Sequence, residues 1–350
     1  MTERIRREHV RHMCTKGMLC IILLAISGLS PAEHPVVVAW WNVENLFDTV
    51  NDVDPLPAFG SDDEFTPDGA RHWTAERYAA KVKAIAMTLR SMNDGKGPDI
   101  IGVCEVEHEH ILRTMIREYL PDLGYDICYH ESPDARGIDV AFLYRAADFH
   151  LVATGFRPVP AISDTVPPTR DILYAMFDSR WGRLLCIGNH WPSRRTGFQD
   201  TEPRRILAAQ TCRSLLDSLL NGNPALDAII MGDFNDDPSN ASVMSSLGAS
   251  GERRAHQLYN CMSAFKQDGS EGTIRYRGKW NLFDQFILAP ALFDSTSFRL
   301  ISVEIYKRES LLEQSGKYAG SPFPTFGGSK YLGGASDHLP IILSLEARSR

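Results

Sequence analysis

Residues 229–240 read IIMGDFNDDPSN, so an apolar run leads directly into a dense group of polar side chains. Asp233, Asn235, Asp236 and Asp237 arrive within five residues. A turn after a buried strand explains Gly, Asn, Asp and Pro without any chemistry. The alternative is that the strand ends by presenting its polar side chains to a functional site. The two interpretations differ in whether other strands end in the same way.

Most of the other strand-like runs also carry polar residues at or near an end. The runs are rich in Val, Ile, Leu and aromatic residues, which is typical of buried strands. They are VVVAWWNVE (36–44), DIIGVCEVE (99–107), DVAFLYR (139–145), RLLCIGNHW (183–191), DAIIMGDFN (227–235), NLFDQFILAP (281–290) and HLPIILSLE (338–346). The polar residues are Asn42 with Glu44, Glu105 with Glu107, His190, Asp233 with Asn235, Asp284, and Asp337 with His338. Because an unpartnered carboxylate is costly to bury, we interpret these six clusters as parts of one site.

Two segments between the strands have the spacing of amphipathic helices. Residues 74–92 place their apolar side chains on one face, and Thr74 is suited to cap the first turn. Residues 202–220 show the same pattern, with Pro203 suited to the first turn. Strands alternating with helices, and no composition break inside 36–346, predict one α/β domain.

The N-terminus differs from the rest of the chain. A basic stretch, MTERIRREHVRHMCTKG, precedes the apolar run MLCIILLAISGLS. This run has the length of the apolar part of a signal peptide and is too short to span a bilayer as a helix. A buried N-terminal helix is the alternative. We expect a signal peptide over 1–32, a folded domain over 33–350, export to the periplasm or out of the cell, and no membrane span after cleavage.

The charge and the cysteines narrow the class of protein. The net charge is −7, and residues 1–32 contribute +3, so the remainder carries −7 − 3 = −10. Such a surface does not attract a polyanion as a whole, and nucleic-acid binding needs a local basic face. Five widely spaced cysteines follow the first 32 residues, which indicates buried free thiols rather than a disulfide framework or a zinc site. A monomer is the default expectation.

The polar clusters contain the groups that metal-assisted hydrolysis requires. Carboxylate and carboxamide oxygens suit Mg²⁺, Mn²⁺ or Ca²⁺. The sequence has no serine-nucleophile motif and no Cys–His pair, which favours attack by a metal-assisted water molecule. An aspartate beside a histidine fixes the imidazole tautomer and stabilises its cation. This inventory indicates hydrolysis of a phosphoester.

In this order, WNVENLF, IIGVCEVE, NHWPSR, MGDFND, FDQFIL and SDHLP resemble the endonuclease/exonuclease/phosphatase superfamily. The superfamily includes deoxyribonuclease I, exonuclease III-like enzymes, sphingomyelinases and inositol polyphosphate 5-phosphatases. The resemblance runs from about residue 36 to 346 and makes 33–350 a catalytic domain. It implies an α/β (α+β) fold, a four-layer sandwich of two mixed β-sheets flanked by helices.

The resemblance also implies a metal site. Glu105 is expected to be the principal ligand, with Asn42 beside it and Asp337 as a second, weaker ligand. The expected cofactor is Mg²⁺ or Mn²⁺, with Ca²⁺ as an alternative. The expected partner is a phosphodiester substrate, foremost nucleic acid.

Five further residues receive catalytic roles from the resemblance. His190 is expected to contact the scissile phosphate, and Asn235 to orient the phosphate or the nucleophile. Asp233 is expected to activate the attacking water or handle the leaving-group proton. Asp284 is expected to hydrogen-bond His338 and keep it oriented, so that His338 stabilises charge on the phosphorus.

Other polar residues near these motifs have two interpretations each. Arg194 and Arg195 follow the NHWPS motif and are candidates for gripping phosphate, or they are solvated surface. Asp139 either pairs with His190 or Arg136 at the site, or caps a turn. Glu44 and Glu107 alternate with the cluster residues along their strands, so they are candidates for supporting contacts behind the site.

Two loop features complete the pattern. Arg275, Arg277 and Lys279 alternate with aromatic residues, which suits either a strip that binds a nucleic-acid backbone or a solvated hairpin. The Gly-rich segment 326–336 abuts Asp337 and predicts a mobile lid.

The function predicted from the sequence is an exported, divalent-metal-dependent phosphodiesterase, foremost a nuclease that cleaves DNA or RNA. The first alternative is the same chemistry on a phospholipid or a sugar phosphate, which the acidic net charge favours. The second is a non-catalytic binding protein on the same fold. Because every expected acid and histidine is present, the catalytic interpretations are favoured.

Overall fold

A computed structural model describes residues 35–52, 62–163, 165–276 and 278–348. The predicted signal peptide and Arg277 lie outside the described residues, and the domain division at residue 33 stays a prediction. Within these ranges, no helix combines the length and the apolar character that crossing a membrane requires.

The described chain forms strands and helices in a mixed order. The strands are β1 (Val36–Leu46), β2 (Ile100–Val106), β3 (Tyr125–Tyr129), β4 (Asp139–Arg145), β5 (Phe149–Arg157), β6 (Ile172–Ser179), β7 (Arg183–His190), β8 (Asp227–Asp233), β9 (Ala249–Ser250), β10 (Leu258–Asn260), β11 (Ile274–Tyr276), β12 (Lys279–Asn281), β13 (Asp284–Leu288), β14 (Phe298–Ile305), β15 (Phe326–Gly327), β16 (Lys330–Tyr331) and β17 (Ile341–Ala347). The α-helices are α1 (Ala75–Ser91), α2 (Glu109–Tyr119), α3 (Phe198–Leu220) and α4 (Ala291–Asp294). Short helical turns span Asp63–Phe65, Asn93–Gly95, Ser242–Leu247, Cys261–Ala264 and Glu309–Leu311.

Two mixed sheets carry the fold. The first sheet has six strands in the order β14-β17-β1-β2-β4-β3, and its β1–β2 pair is parallel. The second has seven strands in the order β5-β6-β7-β8-β13-β10-β9, with β7–β8 and β9–β10 parallel. Two small hairpins, β11–β12 and β15–β16, stand outside these sheets.

The two sheets pack face to face, and helices cover both outer faces. Side chains alternate along β1, so Val38 and Trp40 enter the core between the sheets while Ala39 and Trp41 face the helix side. The outer face of the first sheet packs on α1 and α2, and that of the second sheet packs on α3. The predicted four-layer sandwich is therefore confirmed, and both tryptophans are buried.

All seven predicted strand segments and both predicted helices exist, with one correction inside α3. Helix α1 begins directly after Thr74, whose hydroxyl accepts from the Arg77 amide. Helix α3 begins at Phe198, earlier than predicted, so Pro203 lies inside the helix and not in its first turn. The carbonyl that loses a donor to this proline belongs to Gln199, an exposed residue, and this makes the proline tolerable there.

Candidate active site

Strand pairing brings polar side chains from both sheets to one place. In the second sheet, His190 is the register partner of Asp233 across β7–β8, and Asp284 is the register partner of Asp233 across β8–β13. From the first sheet, Asn42 places its Nδ2 3.0 Å from Asp233 Oδ2 and 3.2 Å from Glu105 Oε1. The polar clusters that the sequence separates by up to hundreds of residues therefore meet at one edge of the sandwich.

The backbone is irregular where the first sheet reaches this site. The β1–β2 register shifts after Asn42, and Glu105 adopts φ = 66°. Glu44 and Asn45 both adopt φ = 49°. Such bulges redirect side chains, and left-handed conformations of non-glycine residues are costly and cluster at functional sites. The irregularity turns Glu105 toward Asn42, while the amide of Asn45 donates to Glu105 Oε2 at 2.8 Å.

Asn42 is held in one orientation by hydrogen bonds on both ends of its carboxamide. Its Oδ1 accepts from the Glu44 amide at 2.9 Å, which fixes the orientation of the carboxamide. Its Nδ2 therefore faces the carboxylates of Glu105 and Asp233. Asn42 therefore orients these two carboxylates, and its expected place among the metal ligands stays a prediction.

Glu105 and Asp337 have the chemistry of ligands for a hard divalent cation. Burial alone would raise the pKa of Glu105, but the Arg136 guanidinium and the Asn45 amide outweigh burial and lower the pKa, so the carboxylate is ionised. Burial raises the pKa of Asp337, and the nearby Glu105 carboxylate adds to this. A bound cation would relieve that repulsion. Two carboxylates that lie close enough to repel each other fit Mg²⁺ or Mn²⁺.

His338 is held as a cation by Asp284. Its Nδ1 lies 2.6 Å from Asp284 Oδ2, and Trp40 Nε1 donates to the other Asp284 oxygen at 3.2 Å. Burial would lower the pKa of His338, but the carboxylates of Asp284 and Asp233 hold it well above its usual value. Ligand atoms of Asp233, Asp284 and His338 lie within 4.8 Å of one another. Because Asp284 and His338 are hydrogen-bonded to each other, we interpret this group as one that holds the charged imidazole in place and not as a metal site.

Asp233 and Asn235 form a tight turn at the end of β8. The Asn235 amide donates to Asp233 Oδ1 at 2.9 Å, and Asn235 adopts φ = 49°, which asparagine tolerates better than most residues. Asn235 Nδ2 donates to the Trp191 carbonyl at 3.0 Å. Burial raises the pKa of Asp233 to about 6, against the opposing effect of His338. Asp233 is therefore ionised at neutral pH and is suited to accept a proton.

His190 is buried and neutral. Its Nε2 lies 3.6 Å from both Glu105 Oε1 and Asp233 Oδ2. Burial, followed by the cations Arg170 and Arg136, lowers its pKa well below the usual value. Within the described chain its Nδ1 has no hydrogen-bond partner. A neutral imidazole at this position can donate one hydrogen bond to a phosphate oxygen.

The two candidate phosphate-gripping arginines differ. Arg194 is committed elsewhere: its guanidinium donates to the Asn235 carbonyl at 2.6 Å and to Asp236 Oδ1 at 2.6 Å. The fully buried Arg205 pairs with the same Asp236 oxygen at 2.8 Å. Arg194 thus supports the turn that carries Asn235. Arg195 is exposed beside it and keeps its two interpretations.

Asp139 has partners other than the expected His190 or Arg136. Its carboxylate accepts from Tyr129 Oη at 2.6 Å and from the Ser132 amide at 2.8 Å. It therefore fastens the loop that precedes β4, which agrees with the turn-capping interpretation. Burial raises its pKa to about 7.

The two supporting glutamates also differ. Glu44 accepts from the Thr325 amide at 2.7 Å, so it ties the Gly-rich segment to the site. Glu107 points away and accepts from the Asp48 amide at 2.7 Å. The segment 326–336 contains the β15–β16 hairpin, and the Phe326 ring packs against Trp73 with centroids 5.8 Å apart. These anchors place the predicted lid in a packed position.

Two residues near the site received no catalytic or substrate-binding role in the sequence analysis. Lys81 on α1 is buried, and its Nζ donates to the Thr325 hydroxyl and, at 3.1 Å, to the Ala335 carbonyl. Arg136 lies close enough to lower the pKa values of both Glu105 and His190. Lys81 lies three residues after Tyr78 and four before Ile85, so its spacing places it beside the apolar face, and this signal was overlooked. Arg136 was named only as a possible partner of Asp139. Arg136 is a candidate contact for a substrate phosphate.

Several solved structures share the fold that carries this site. Among solved structures, mannosyl-6-phosphatase of Bacteroides thetaiotaomicron is 20% identical with a TM-score of 0.56, covering 89% of this chain and 99% of that one. TDP2 of D. rerio, complexed with a single-stranded DNA product, is 14% identical with a TM-score of 0.55, covering 90% and 100%. The human nocturnin catalytic domain is 16% identical with a TM-score of 0.53, covering 89% and 93%. At these identities the likeness shows a shared fold.

No curated protein sequence matches the chain. The model of the Endonuclease/Exonuclease/phosphatase family matches residues 37–347, nearly the whole described domain. The chain therefore belongs to the endonuclease/exonuclease/phosphatase family.

Proposed function

We propose that this protein is an exported, Mg²⁺- or Mn²⁺-dependent phosphodiesterase that cleaves nucleic acid. Members of the family are metal-dependent hydrolases of phosphoester bonds. The observation that carries the proposal is the arrangement around Asp233, which meets Asn42, His190 and the Asp284-held His338 in one buried group. Asp233 can accept a proton, His190 can donate a hydrogen bond, and His338 supplies a fixed positive charge. Each of these functions assists hydrolysis of a phosphodiester.

The chain's own residues divide the work as follows. Asp233, ionised at neutral pH, accepts the proton of the attacking water. His190 donates from Nε2 to a phosphate oxygen, and the cationic His338 stabilises the negative charge that grows on the phosphoryl group. Glu105 and Asp337 would hold a divalent cation, which would supply positive charge to neutralise the phosphate.

A nucleic acid as the substrate is supported by cations close to the site. Arg136 acts on the site from the loop before β4, and Arg275 and Lys317 line a cleft that reaches Asp337. TDP2 of D. rerio, one of the structural relatives, is described in complex with single-stranded DNA. Export is supported by the signal-like composition of residues 1–32.

A phosphomonoesterase acting on a sugar phosphate is the second candidate. Two observations favour it: the net charge of −10 outside the first 32 residues and the likeness to a mannosyl-6-phosphatase. A sugar phosphate carries one phosphate and needs no extended basic surface. A non-catalytic binding protein is disfavoured because the acids and histidines converge in one hydrogen-bonded group.

The test compares substrates under identical conditions. Supercoiled plasmid, single-stranded RNA, mannose 6-phosphate and sphingomyelin are incubated with the protein and Mg²⁺ or Mn²⁺, beside an Asp233→Ala control. The proposal predicts nicking of the plasmid or cleavage of RNA that EDTA and Asp233→Ala abolish. Turnover of mannose 6-phosphate alone would replace it with the second candidate.

A further inference from the structure

A cleft of about 760 Å³ opens beside Asp337 and lies outside the catalytic group. We call it the side cleft. One wall is the β11–β12 hairpin, which contributes Arg275, and the other is the segment 313–332, which contributes Lys317 and Tyr318. The chemistry at the scissile phosphate uses none of these three side chains, so the side cleft has room for another part of a substrate.

The hairpin wall is fixed directly to the catalytic histidine. Ile274 forms a β-bridge with His338, and the Leu339 amide donates to the Thr273 carbonyl at 2.7 Å. Arg275 Nη1 donates to the Ser321 hydroxyl at 3.2 Å and so joins the two walls. A substrate bound in the active site therefore has the side cleft at a fixed position next to it.

The side cleft offers two cationic side chains although the protein as a whole is acidic. Arg275 donates to the Gly278 carbonyl at 3.3 Å as well as to the Ser321 hydroxyl, and both of these acceptors are neutral. Lys317 is exposed, and its Nζ lies 5.3 Å from the centre of the Tyr318 ring. Two acids also line the side cleft, Glu313 and the expected metal ligand Asp337. Two cations that keep their charge available suit a ligand with a phosphate beyond the scissile one.

The side cleft also presents a flat aromatic surface. Tyr318 is 56% exposed, whereas tyrosine residues are ordinarily more buried than this. Pro322 and Pro324 line the same cleft and add apolar surface. A nucleobase stacks on such a ring regardless of its sequence, and a basic groove with exposed aromatics is the usual design for single strands.

We propose that the side cleft binds the nucleotide next to the scissile phosphate of a single-stranded nucleic acid. Arg275 and Lys317 contact the neighbouring phosphate, and the unpaired base stacks on Tyr318. A paired base has its face covered by its neighbours in the duplex, so this contact selects single strands. The inference rests on the proposed function, because it assigns a substrate class to the same active site.

The test separates binding from hydrolysis. Binding of a fluorescent oligothymidylate of about ten nucleotides, within the range that single-strand grooves occupy, is measured by anisotropy in EDTA. The variants are Tyr318→Leu, Lys317→Gln and their combination. The matched controls are Phe156→Leu, an exposed aromatic on β5, and Lys83→Gln, an exposed lysine on α1. We expect Tyr318→Leu to weaken binding by about 5- to 150-fold, which is the loss of one stacked base.

Two further readouts identify the contacts. Lys317→Gln is expected to reduce the slope of log K against log salt by about 0.7, the value for one lost phosphate contact on a single strand. Tyr318→Phe is expected to bind as the wild type does, because it keeps the ring. The control variants are expected to leave both the affinity and the slope unchanged.

Hydrolysis of bis(p-nitrophenyl) phosphate, which has one phosphate and no base, completes the design. The combined variant is expected to keep this rate within about twofold while losing oligonucleotide binding. Equal affinity of the combined variant and the wild type for the oligonucleotide would overturn the proposal, and so would equal affinity of the wild type for duplex and single strand. If the wild type binds through the side cleft but hydrolyses neither substrate, the proposed function fails while the binding site stands.

Discussion

Nδ1 of His338 lies 2.6 Å from Oδ2 of Asp284, and this contact joins the two sheets inside the active site. Asp284 begins β13 of the second sheet, whereas His338 leads into β17 of the first. Trp40 on β1 holds the other oxygen of Asp284 at 3.2 Å. The carboxylate, carried by the second sheet, is thus held by two partners from the first, and the imidazole that it faces remains cationic in spite of its burial.

Asp284→Asn is expected to remove most of the activity. Without the carboxylate, burial dominates and the pKa of His338 falls, so the imidazole loses its charge at a lower pH. We expect kcat to fall by about 10²- to 10⁴-fold and the alkaline limb of the pH–rate profile to move to lower pH. The exposed Asp294→Asn is the control. A variant whose profile matches the wild type would show that Asp284 does not set the charge of His338.

Arg194→Met is expected to lower stability and kcat, with little effect on KM. The variant removes the donors to Asp236 and to the Asn235 carbonyl, which leaves the buried pair of Asp236 and Arg205 less well compensated. Because Arg194 is partly exposed, we expect a loss of about 1–3 kcal/mol in the free energy of unfolding by urea. The exposed Arg117→Met on α2 serves as the control. A higher KM at unchanged stability would instead indicate that Arg194 grips phosphate.

Asp139→Asn is expected to change how stability depends on pH. The pKa of Asp139 is raised to about 7 by burial, so the folded protein binds this proton more tightly than the unfolded chain does. Stability from this group is present at low pH and is lost as pH rises from about 4 to about 7. The asparagine variant lacks that loss. Relative to the wild type, it should gain about 1–3 kcal/mol between pH 5 and pH 8 in urea unfolding with EDTA. If the difference in the free energy of unfolding between the two proteins were the same at pH 5 and pH 8, a residue other than Asp139 would be the titrating group.

Lys81→Met is expected to loosen the segment that carries Asp337. Lys81 holds Thr325 and the Ala335 carbonyl, and Glu44 holds the Thr325 amide from the other side. We expect faster hydrogen exchange around Thr325 and activity about 10-fold lower, as is typical when a contact behind a ligand is lost. The exposed Lys83→Met on the same helix is the control. Unchanged exchange at Thr325 would contradict this anchoring.

Much of the fold and the location of the site follow from the sequence. The central strands are buried on both faces, so they appear in the sequence as continuous apolar runs. Their ends carry the polar residues that meet around Asp233. Edge strands were missed for a physical reason. In β5 and β14 most side chains are partly or fully exposed, so neither an apolar run nor a strict alternation marks them.

The detailed roles depended on contacts that a linear pattern does not contain. The orientation of the Asn42 carboxamide is set by the amide of Glu44, which a bulge directs at it. Arg194 is drawn from phosphate binding by Asp236, which the sequence presents as one more turn residue. These assignments require the folded structure, because the partners that compete for each side chain lie close to it in space but are not marked by any sequence pattern.

The most direct test of metal-dependent hydrolysis at Asp233 is the turnover of bis(p-nitrophenyl) phosphate by the wild type and by Asp233→Ala. Turnover is measured with Mg²⁺, with Mn²⁺ and with EDTA, and unfolding in urea confirms that the variant is folded. We predict turnover with either metal that EDTA abolishes and that Asp233→Ala reduces by about 10²- to 10⁴-fold. Equal turnover by the folded Asp233→Ala protein, or turnover that EDTA leaves unchanged, would contradict the account.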